Sequence, residues 1–156
     1  MRIWLVAVGR RMPAWVVDGY LQYARRMPSH LALELKEIDP VPRKGNANDS
    51  SIRRLEAERI RAALPANAHW IALDVKGKQW STEKLAERMQ AWQFLGSDVA
   101  LIVGGADGID STLLNDCAEK WSLGPLTLPH PLVRVVLAEQ LYRAFTILSG
   151  HPYHRA

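Results

Sequence analysis

Short apolar segments alternate with longer amphipathic segments along the whole chain. Buried strands are short apolar runs or apolar–polar alternations, whereas helices repeat their apolar positions every three to four residues. The pattern predicts strands over residues 2–8, 31–38, 70–75, 99–103 and 122–128. It predicts helices over residues 13–27, 49–64, 81–95, 110–120 and 131–149. This alternation is typical of an α/β domain with a mostly parallel sheet flanked by helices.

Prolines and glycines set the boundaries of these elements. Pro13 and Pro131 stand where two helices begin, a position that tolerates the missing N–H of proline. Gly96 follows the third helix, and glycine is preferred just after a helix end. The Lys-Gly-Lys sequence at 76–78 predicts a turn after the third strand. The chain shows no internal repeat and no linker, so we expect one domain over residues 1–156.

The composition is that of an ordinary globular protein, with 48% hydrophobic and 23% charged residues. The apolar run over residues 3–8 is too short to span a bilayer and lacks the features of a signal peptide. The single cysteine, Cys117, excludes an intramolecular disulfide framework and a cysteine-based zinc cluster. These observations predict a cytoplasmic protein.

The net charge of +4 is unevenly distributed along the chain. Residues 1–65 contain 12 Lys and Arg against 7 Asp and Glu, a balance of +5, whereas residues 66–156 contain 8 against 9, a balance of −1. The excess includes Arg43 and Lys44 in a polar loop and Arg53 on the following helix. A basic face binds polyanions such as nucleic acid through counterion release. A solvated basic surface explains the same charge, and charge alone leaves both interpretations open.

A glycine cluster over residues 104–108, Gly-Gly-Ala-Asp-Gly, follows the fourth predicted strand. Open α/β sheets bind ligands at the carboxyl ends of their strands, where glycine lets a ligand approach the backbone. The cluster lacks the spacing of the dinucleotide fingerprint and the lysine of a phosphate loop. It therefore predicts either a ligand-binding loop or a tight turn between a strand and a helix.

Two basic side chains lie at the start of the last predicted helix. His130 stands between two prolines, and Arg134 follows one turn later. The helix dipole disfavours a cation near a helix N-terminus. Arg134 therefore indicates either an anion or a carboxylate of a partner bound nearby, or a structural ion pair within the fold.

The last predicted helix and the residues after it carry two further signals. The helix is apolar over more than one face, which favours a second subunit, and a homodimer is the simplest source. After it, Tyr153, His154 and Arg155 combine groups that stack on bases, move protons and bind phosphate. The histidines lack the spacing of metal ligands, so we expect no metal site.

Over its full length the chain resembles the RlmH (YbeA) family of the SPOUT methyltransferase superfamily. The resemblance is carried by Leu5–Gly9, Leu73-Asp74, Ile102–Gly108, Ser122–Arg134, Glu139–Arg143 and Pro152–Arg155. It implies a SPOUT fold with a C-terminal trefoil knot and an obligate homodimer. It further implies an S-adenosylmethionine-dependent enzyme that methylates N3 of a pseudouridine in the 23S RNA of the large subunit, within the assembled ribosome.

The resemblance also assigns roles to individual residues. It places the cofactor at Leu73, Gly104 and Gly105, and along Leu123, Gly124, Pro125, Leu126, Thr127 and Leu128. On this basis we predict that His154 accepts or orients a proton, that Tyr153 stacks on the base and that Arg155 contacts phosphate. We expect the RNA substrate to be bound by Arg43, Lys44, Arg53, His130 and Arg134.

Two other function classes remain open on the sequence. The glycine turn at 104–105 also suits a nucleotide-binding hydrolase or another α/β enzyme. The basic N-terminal part also suits a ribosome-assembly factor that binds RNA without catalysis. Methyl transfer from S-adenosylmethionine separates the proposed enzyme from both.

Overall fold

The computed structural model describes residues 1–43, 45 and 48–155. The strands are β1 (Arg2–Val8), β2 (Ala32–Ile38), β3 (His69–Gln79), β4 (Val99–Val103) and β5 (Glu119–Ser122). The helices are α1 (Ala14–Ala24), α2 (Asp49–Ala63), α3 (Thr82–Gln93), α4 (Ser111–Asp116) and α5 (His130–Ser149). Short 3-10 helices cover Ser29–Leu31 and Pro152–Arg155. In the described ranges, no helix combines the length and the apolar character needed to cross a membrane.

The five strands form one sheet in the order β2-β1-β4-β3-β5. Every neighbouring pair is parallel, which confirms the predicted α/β class. β4 lies inside the sheet and is buried along its whole length, as its uninterrupted apolar sequence predicts. The trefoil knot that the resemblance implies stays a prediction.

Alternate side chains of the central strands supply two separate cores. Leu5 and Leu101 face α1, α3 and α5, and all of these elements contribute to one buried cluster. Val6 and Ile102, one residue further along the same strands, face α2 and α4 in a second cluster. This division follows from the period of two in a strand, which points successive side chains to opposite faces. Both faces of the sheet are therefore covered by helices.

β3 is longer than predicted, and the expected turn at 76–78 is wrong. The strand continues to Gln79, but its pairing with β5 shifts so that Leu73 and Lys78 both lie opposite Trp121. Residues 74–77 therefore form a bulge within a long strand. Gly77 permits this because its backbone lies directly against β5, where an added Cβ would be 2.6 Å from the carbonyl carbon of Lys120. The Lys-Gly-Lys sequence therefore marks a bulge within β3 rather than a turn after it.

The last strand begins and ends earlier than predicted. α4 ends at Asp116 rather than near residue 120, and β5 occupies Glu119–Ser122 rather than 122–128. The segment after Ser122 cannot extend the strand, because Gly124 has a φ of +117° and Pro125 has no N–H to donate. Residues 123–129 instead form an irregular connection to α5.

α5 packs against α1 and α3 within the same chain. Leu137, Ala138, Leu141 and Ala144 have no exposed surface. Intrachain packing accounts for part of the apolar surface of this helix, while Leu132, Val136 and Phe145 stay half-buried and Leu148 is exposed. A role of α5 in a subunit interface therefore stays a prediction. The homodimer itself stays a prediction.

Candidate active site

A cavity of about 330 Å³ lies beyond the carboxyl ends of β3 and β4. Its wall comes from three segments of the chain: the end of β3 with its bulge, the glycine loop at 104–109, and residues 123–133. The carboxyl edge of a parallel sheet is where α/β proteins bind their ligands. Seven of the residues predicted to hold the cofactor line this cavity: Leu73, Gly104, Leu123, Gly124, Leu126, Thr127 and Leu128.

Two residues of the predicted cofactor set lie outside the cavity wall. Pro125 is exposed on the loop between Gly124 and Leu126, which both line the cavity. Gly105 faces α2, where an added Cβ would lie 2.8 Å from the Oε1 atom of Glu56. Seven of the nine predicted cofactor residues therefore share one cavity, and Gly105 and Pro125 lie beside it.

The glycine loop is tightly folded on itself. The amide of Gly108 donates to the carbonyl oxygen of Gly105 over 3.0 Å, and Gly108 has a φ of +83°. A Cβ at Gly104 would lie 2.7 Å from Cγ1 of Ile109 and 2.9 Å from the backbone of Gly108. The tight-turn interpretation is thus confirmed, because the loop excludes a side chain at Gly104 by its own packing. Its role toward a ligand stays a prediction.

The third wall is shaped by local hydrogen bonds and glycine. The amide of Gly124 donates to the hydroxyl oxygen of the buried Ser122 over 3.1 Å. This fixes the bend that brings Leu126 and Thr127 over the cavity. Leu126, which lines the cavity, is 77% exposed. Apolar walls with a few polar groups are typical of small-molecule sites.

His130 is the first residue of α5 and lines the cavity next to Val133. Burial lowers the pKa of its imidazole, and the nearby Arg134 cation lowers the pKa further. The Glu56 carboxylate acts in the opposite direction. The lowered pKa favours a neutral imidazole in the cavity wall, able to accept or donate a hydrogen bond.

Arg134 points into the fold rather than into the cavity. Its side chain is only 3% exposed. Nη1 donates to Oε2 of Glu37 over 2.8 Å, and Nη2 donates to the carbonyl oxygen of Gly9 over 2.8 Å. Of the two interpretations that the sequence left open, the geometry supports the structural ion pair. The expectation that Arg134 binds RNA is corrected, because its guanidinium is enclosed by partners from its own chain.

Glu56 is a buried carboxylate that sequence reasoning missed. It is 5% exposed, and its Oε2 accepts a hydrogen bond from the amide of Val41 over 3.2 Å. Oε1 is buried and has no hydrogen-bond partner among the described residues. The position was visible in the sequence, since residue 56 lies one turn from the buried Ile52 and Ile60 on the inner face of α2. Glu56 joins the loop before α2 to the glycine loop.

Two arginines of the predicted RNA-binding set, Arg43 and Arg53, contact the glycine loop. Arg43 forms salt bridges with Asp107 and, over 3.0 Å, with Asp49. Arg53 lies 3.4 Å from the carbonyl oxygen of Asp107. Arg43 therefore neutralises Asp107, and Arg53 contacts the loop backbone. Contact of either arginine with RNA stays a prediction. Lys44 lies outside the described residues.

The C-terminal residues fold back on their own α5. The hydroxyl of Tyr153 donates to Oε1 of Glu139 over 3.1 Å, and its ring lies 4.8 Å from that of Tyr142, edge to face. The Arg143 guanidinium lies 5.0 Å from the same ring. Burial, together with hydrogen bonds to Tyr23 and Glu139, raises the pKa of Tyr153 to about 12. Tyr153 is thus held as a neutral phenol.

The predicted catalytic residues do not reach the cavity of their own chain. Glu139, the anchor of Tyr153, is nine residues from His130, about 13 Å along the helix axis. In the part of the chain that the structure describes, no residue from 150–155 lines the cavity. Nδ1 of His154 is buried without a hydrogen-bond partner in that same part, and Arg155 is exposed. The cavity and the tail therefore lie at separate places in one chain.

The chain is similar over its whole length to known methyltransferases. Residues 1–154 match the family model described as "Predicted SPOUT methyltransferase". A ribosomal RNA large subunit methyltransferase H from Hahella chejuensis is 52% identical over 155 residues, covering 99% of both chains. The protein of the same name from Methylococcus capsulatus is also 52% identical over 155 residues, covering 99% of this chain and all of the relative. The one from Burkholderia thailandensis is 49% identical over 156 residues, the whole of both chains.

A solved structure shares the fold at low sequence identity. A probable methylase family protein from Haemophilus influenzae superposes with a TM-score of 0.55 at 14% identity, over 97% of this chain and 69% of that one. A likeness of this kind supports the architecture alone. The family match and the full-length relatives carry the assignment further: this chain belongs to the SPOUT methyltransferase family, together with the ribosomal RNA large subunit methyltransferase H proteins.

Proposed function

We propose that this protein is a cytoplasmic methyltransferase that transfers a methyl group from S-adenosylmethionine to N3 of a pseudouridine in 23S ribosomal RNA. We propose further that it acts as a homodimer on the assembled ribosome. The observation that carries the proposal is that Leu73, Gly104, Leu123, Gly124 and residues 126–128 line one cavity. Those segments are far apart in sequence, and they are the ones that the resemblance associates with the cofactor. The names of the full-length relatives support the RNA substrate.

The residues of the cavity fit the cofactor. Its volume of about 330 Å³ lies within the range of small-molecule sites. Leu73, Leu123 and Leu128 offer apolar surface for a purine ring, and the backbone at Gly104 and Gly124 is free of side chains. When bound, S-adenosylmethionine would supply an electrophilic methyl group on its sulfonium. The chain would hold it mostly through backbone groups and apolar contacts.

The proposed reaction needs a proton acceptor beside the target base, and the tail offers one in addition to His130 and Asp74 of the cavity wall. N3 of the pseudouridine carries a proton that must leave as the new carbon–nitrogen bond forms, so a proton acceptor has to lie next to it. The tail carries suitable groups but is anchored at Glu139, away from its own cavity. We therefore propose composite sites in which His154 of the partner subunit accepts or orients the proton. Tyr153 of the partner subunit would stack on the base, and Arg155 of the partner subunit would contact phosphate.

The residues of the cavity wall would orient the substrate. His130 can hydrogen-bond the base or ribose as a neutral imidazole. Arg43 and Arg53 hold the glycine loop and keep charge near the cavity entrance. Holding donor and acceptor in line is a large part of the acceleration expected for a transfer between two bound groups.

The composite site requires a surface for dimerisation. Beside the apolar side chains that α5 leaves half-buried, the neighbouring α1 presents an exposed tryptophan. Trp15, near the start of α1, is 59% exposed. Exposed aromatic side chains of this kind are enriched in protein interfaces. We propose that this side of α1 contributes to the homodimer contact.

The direct test uses ribosomes from a strain that lacks the endogenous enzyme. They are incubated with the protein and labelled S-adenosylmethionine, and the 23S RNA is digested for nucleoside mass spectrometry. We expect N3-methylpseudouridine at one position, and much weaker labelling of protein-free RNA. Ribosome binding without methyl transfer would instead indicate a non-catalytic assembly factor. Binding of nucleoside triphosphates in preference to S-adenosylmethionine would indicate a nucleotide-dependent enzyme.

A mixing experiment tests whether the sites are composite. One variant, His154→Ala, removes the proposed proton acceptor, and the other, Thr127→Trp, fills the cavity from its exposed rim. Thr127 is preferred to Gly104 because the packing of the glycine loop stays intact. If the tail serves the partner, half of the randomly mixed dimers keep one intact site, and activity returns to about a quarter of wild type. No recovery would show that each chain completes its own site.

A further inference from the structure

A basic groove borders the outer edge of the sheet, beside β3 and β5. It encloses about 520 Å³ and is lined by Lys76, Lys78, Trp80, Lys84, Arg88 and Lys120, with Glu119 among its few other side chains. β5 is the last strand of the sheet on this side, so the groove is open to solvent along its length. Residues 66–156 contain eight Lys and Arg, and five of them line this one groove. Although residues 66–156 have a net charge of −1, most of their cations lie together in this groove.

Three of these cations are free of carboxylate partners. Arg88 pairs with Glu119 over 2.5 Å, and Lys84 pairs with Glu87 over 3.2 Å. Among the residues that the structure describes, Lys76, Lys78 and Lys120 enter no salt bridge. All three are exposed. The groove therefore presents uncompensated positive charge to solvent.

The groove and the cavity of the candidate active site are lined by consecutive stretches of the same two segments of the chain. The bulge in β3 separates them: Asp74 and Val75 line the cavity, whereas Lys76 and the residues after it line the groove. β5 repeats this arrangement, since Lys120 lies in the groove and Leu123 in the cavity. A linear polyanion lying in the groove would thus run along β3 toward the residues that line the cavity.

The floor of the groove is rigid and aromatic. The ring of Trp80 stacks on that of Trp121 at 4.9 Å and an angle of 20°, and the Arg88 guanidinium lies 5.9 Å from the Trp80 ring. Gly77 lies against the backbone of β5, which leaves no space for a side chain beneath the lysines. A charged channel beside a fixed aromatic floor is a recurring way to bind single-stranded nucleic acid.

We propose that this groove binds the phosphodiester backbone of the RNA strand that carries the target nucleotide, on the side of the cavity opposite Arg43 and Arg53. The inference rests on the proposed function and adds a defined RNA-binding surface to it. The groove lysines act as phosphate ligands and give the RNA its direction into the cavity. Phosphate contacts of this kind position a substrate without reading its sequence.

Lysines at a sheet edge also have a structural explanation. A row of charges on an edge strand keeps it from pairing with another chain. If that were their only role, removing two charges would promote self-association and leave ribosome binding unchanged. The two explanations therefore predict different results for the same variant.

The test removes two groove charges and compares them with two charges elsewhere. The double variant Lys78→Gln, Lys120→Gln leaves the residues of the cavity intact. The matched control, Arg2→Gln, Arg25→Gln, removes two exposed charges that lie outside the groove. A third variant, Lys78→Arg, Lys120→Arg, restores the charge. Binding to unmodified ribosomes is measured by sedimentation at several salt concentrations, together with initial rates of methyl transfer and S-adenosylmethionine binding by calorimetry.

We expect the glutamine variant to bind ribosomes about 25-fold more weakly at about 0.1 M salt, since each lost phosphate contact removes about 0.7 from the logarithmic salt slope. KM for ribosomes should rise while S-adenosylmethionine affinity is unchanged, and the arginine variant should recover. Unchanged ribosome affinity and salt slope, or an equal loss in the control, would overturn the groove assignment. Absence of methyl transfer by the wild type would instead overturn the proposed function.

Discussion

Replacing Arg134 with Met tests whether this residue holds the fold together or binds substrate. The change removes two charge-assisted hydrogen bonds of 2.8 Å, to Glu37 and to the carbonyl oxygen of Gly9. Breaking a buried ion pair by removing one partner costs about 3–5 kcal/mol. Because the Glu37 side chain is 30% exposed and can be hydrated, we expect the lower end of that range, about 3 kcal/mol. For a chain of this size this corresponds to a melting temperature lower by roughly 6–12 °C.

The measurement is urea unfolding followed by tryptophan fluorescence, carried out as a double-mutant cycle with Glu37→Gln. The two single changes should not add, and we expect a coupling energy of at least about 1 kcal/mol, because the second change removes a partner that the first has already left unpaired. Surviving methyl transfer, corrected for the folded fraction, should stay near that of wild type. A variant that keeps wild-type stability but loses methyl transfer would refute this reasoning and return Arg134 to the substrate site.

Three further predictions concern the surface of α1, the cavity and the core. Trp15→Glu should give a monomer by light scattering, with a melting temperature near that of the wild type. The control Phe94→Glu, at an 85% exposed position, should remain dimeric. A persistent Trp15→Glu dimer would place the interface elsewhere. Burial and Arg134 lower the pKa of His130 in the folded chain, so the unfolded chain binds the proton more readily. Stability should therefore fall as pH drops through about 6.5, and His130→Gln should flatten this dependence in urea titrations; an unchanged slope would contradict it. Burial raises the pKa of Cys117 to about 11, so its thiol should react with disulfide reagents at about pH 8 only after unfolding.

The elements that the sequence predicted well are those whose signal is local. β4 is an uninterrupted apolar run. α3 is capped by Ser81, whose hydroxyl oxygen accepts a hydrogen bond from the amide of Lys84. Such patterns need only neighbouring residues to be recognised. The end of β3 was misread because its pairing depends on Trp121 more than forty residues later. From the sequence alone, Gly77 is equally consistent with a turn and with a bulge.

The candidate site divides in the same way. The loop segments of the cavity were placed by the resemblance to a family, since no local pattern joins Leu73 to Leu126. Arg134 and Glu37 are 97 positions apart, so only the folded chain shows that they meet. The basic groove could not be predicted from the sequence because its cations come from separate segments, residues 76–88 and residue 120, that meet only in the folded chain. The net charge of a sequence segment does not show how many of its cations lie together on the folded surface.

The arrangement of the cavity wall has a consequence for how the protein is made. The centre of the sheet contains β1, the first strand synthesised, yet β1 pairs on one side with β4, which is made when about two thirds of the chain exist. The third wall, at residues 123–133, leaves the ribosome later still. Pairing strands so distant in sequence is intrinsically slow. A nascent chain therefore has no complete cavity until residues 123–133 have emerged, so the proposed methyl transfer is open only to a nearly finished chain.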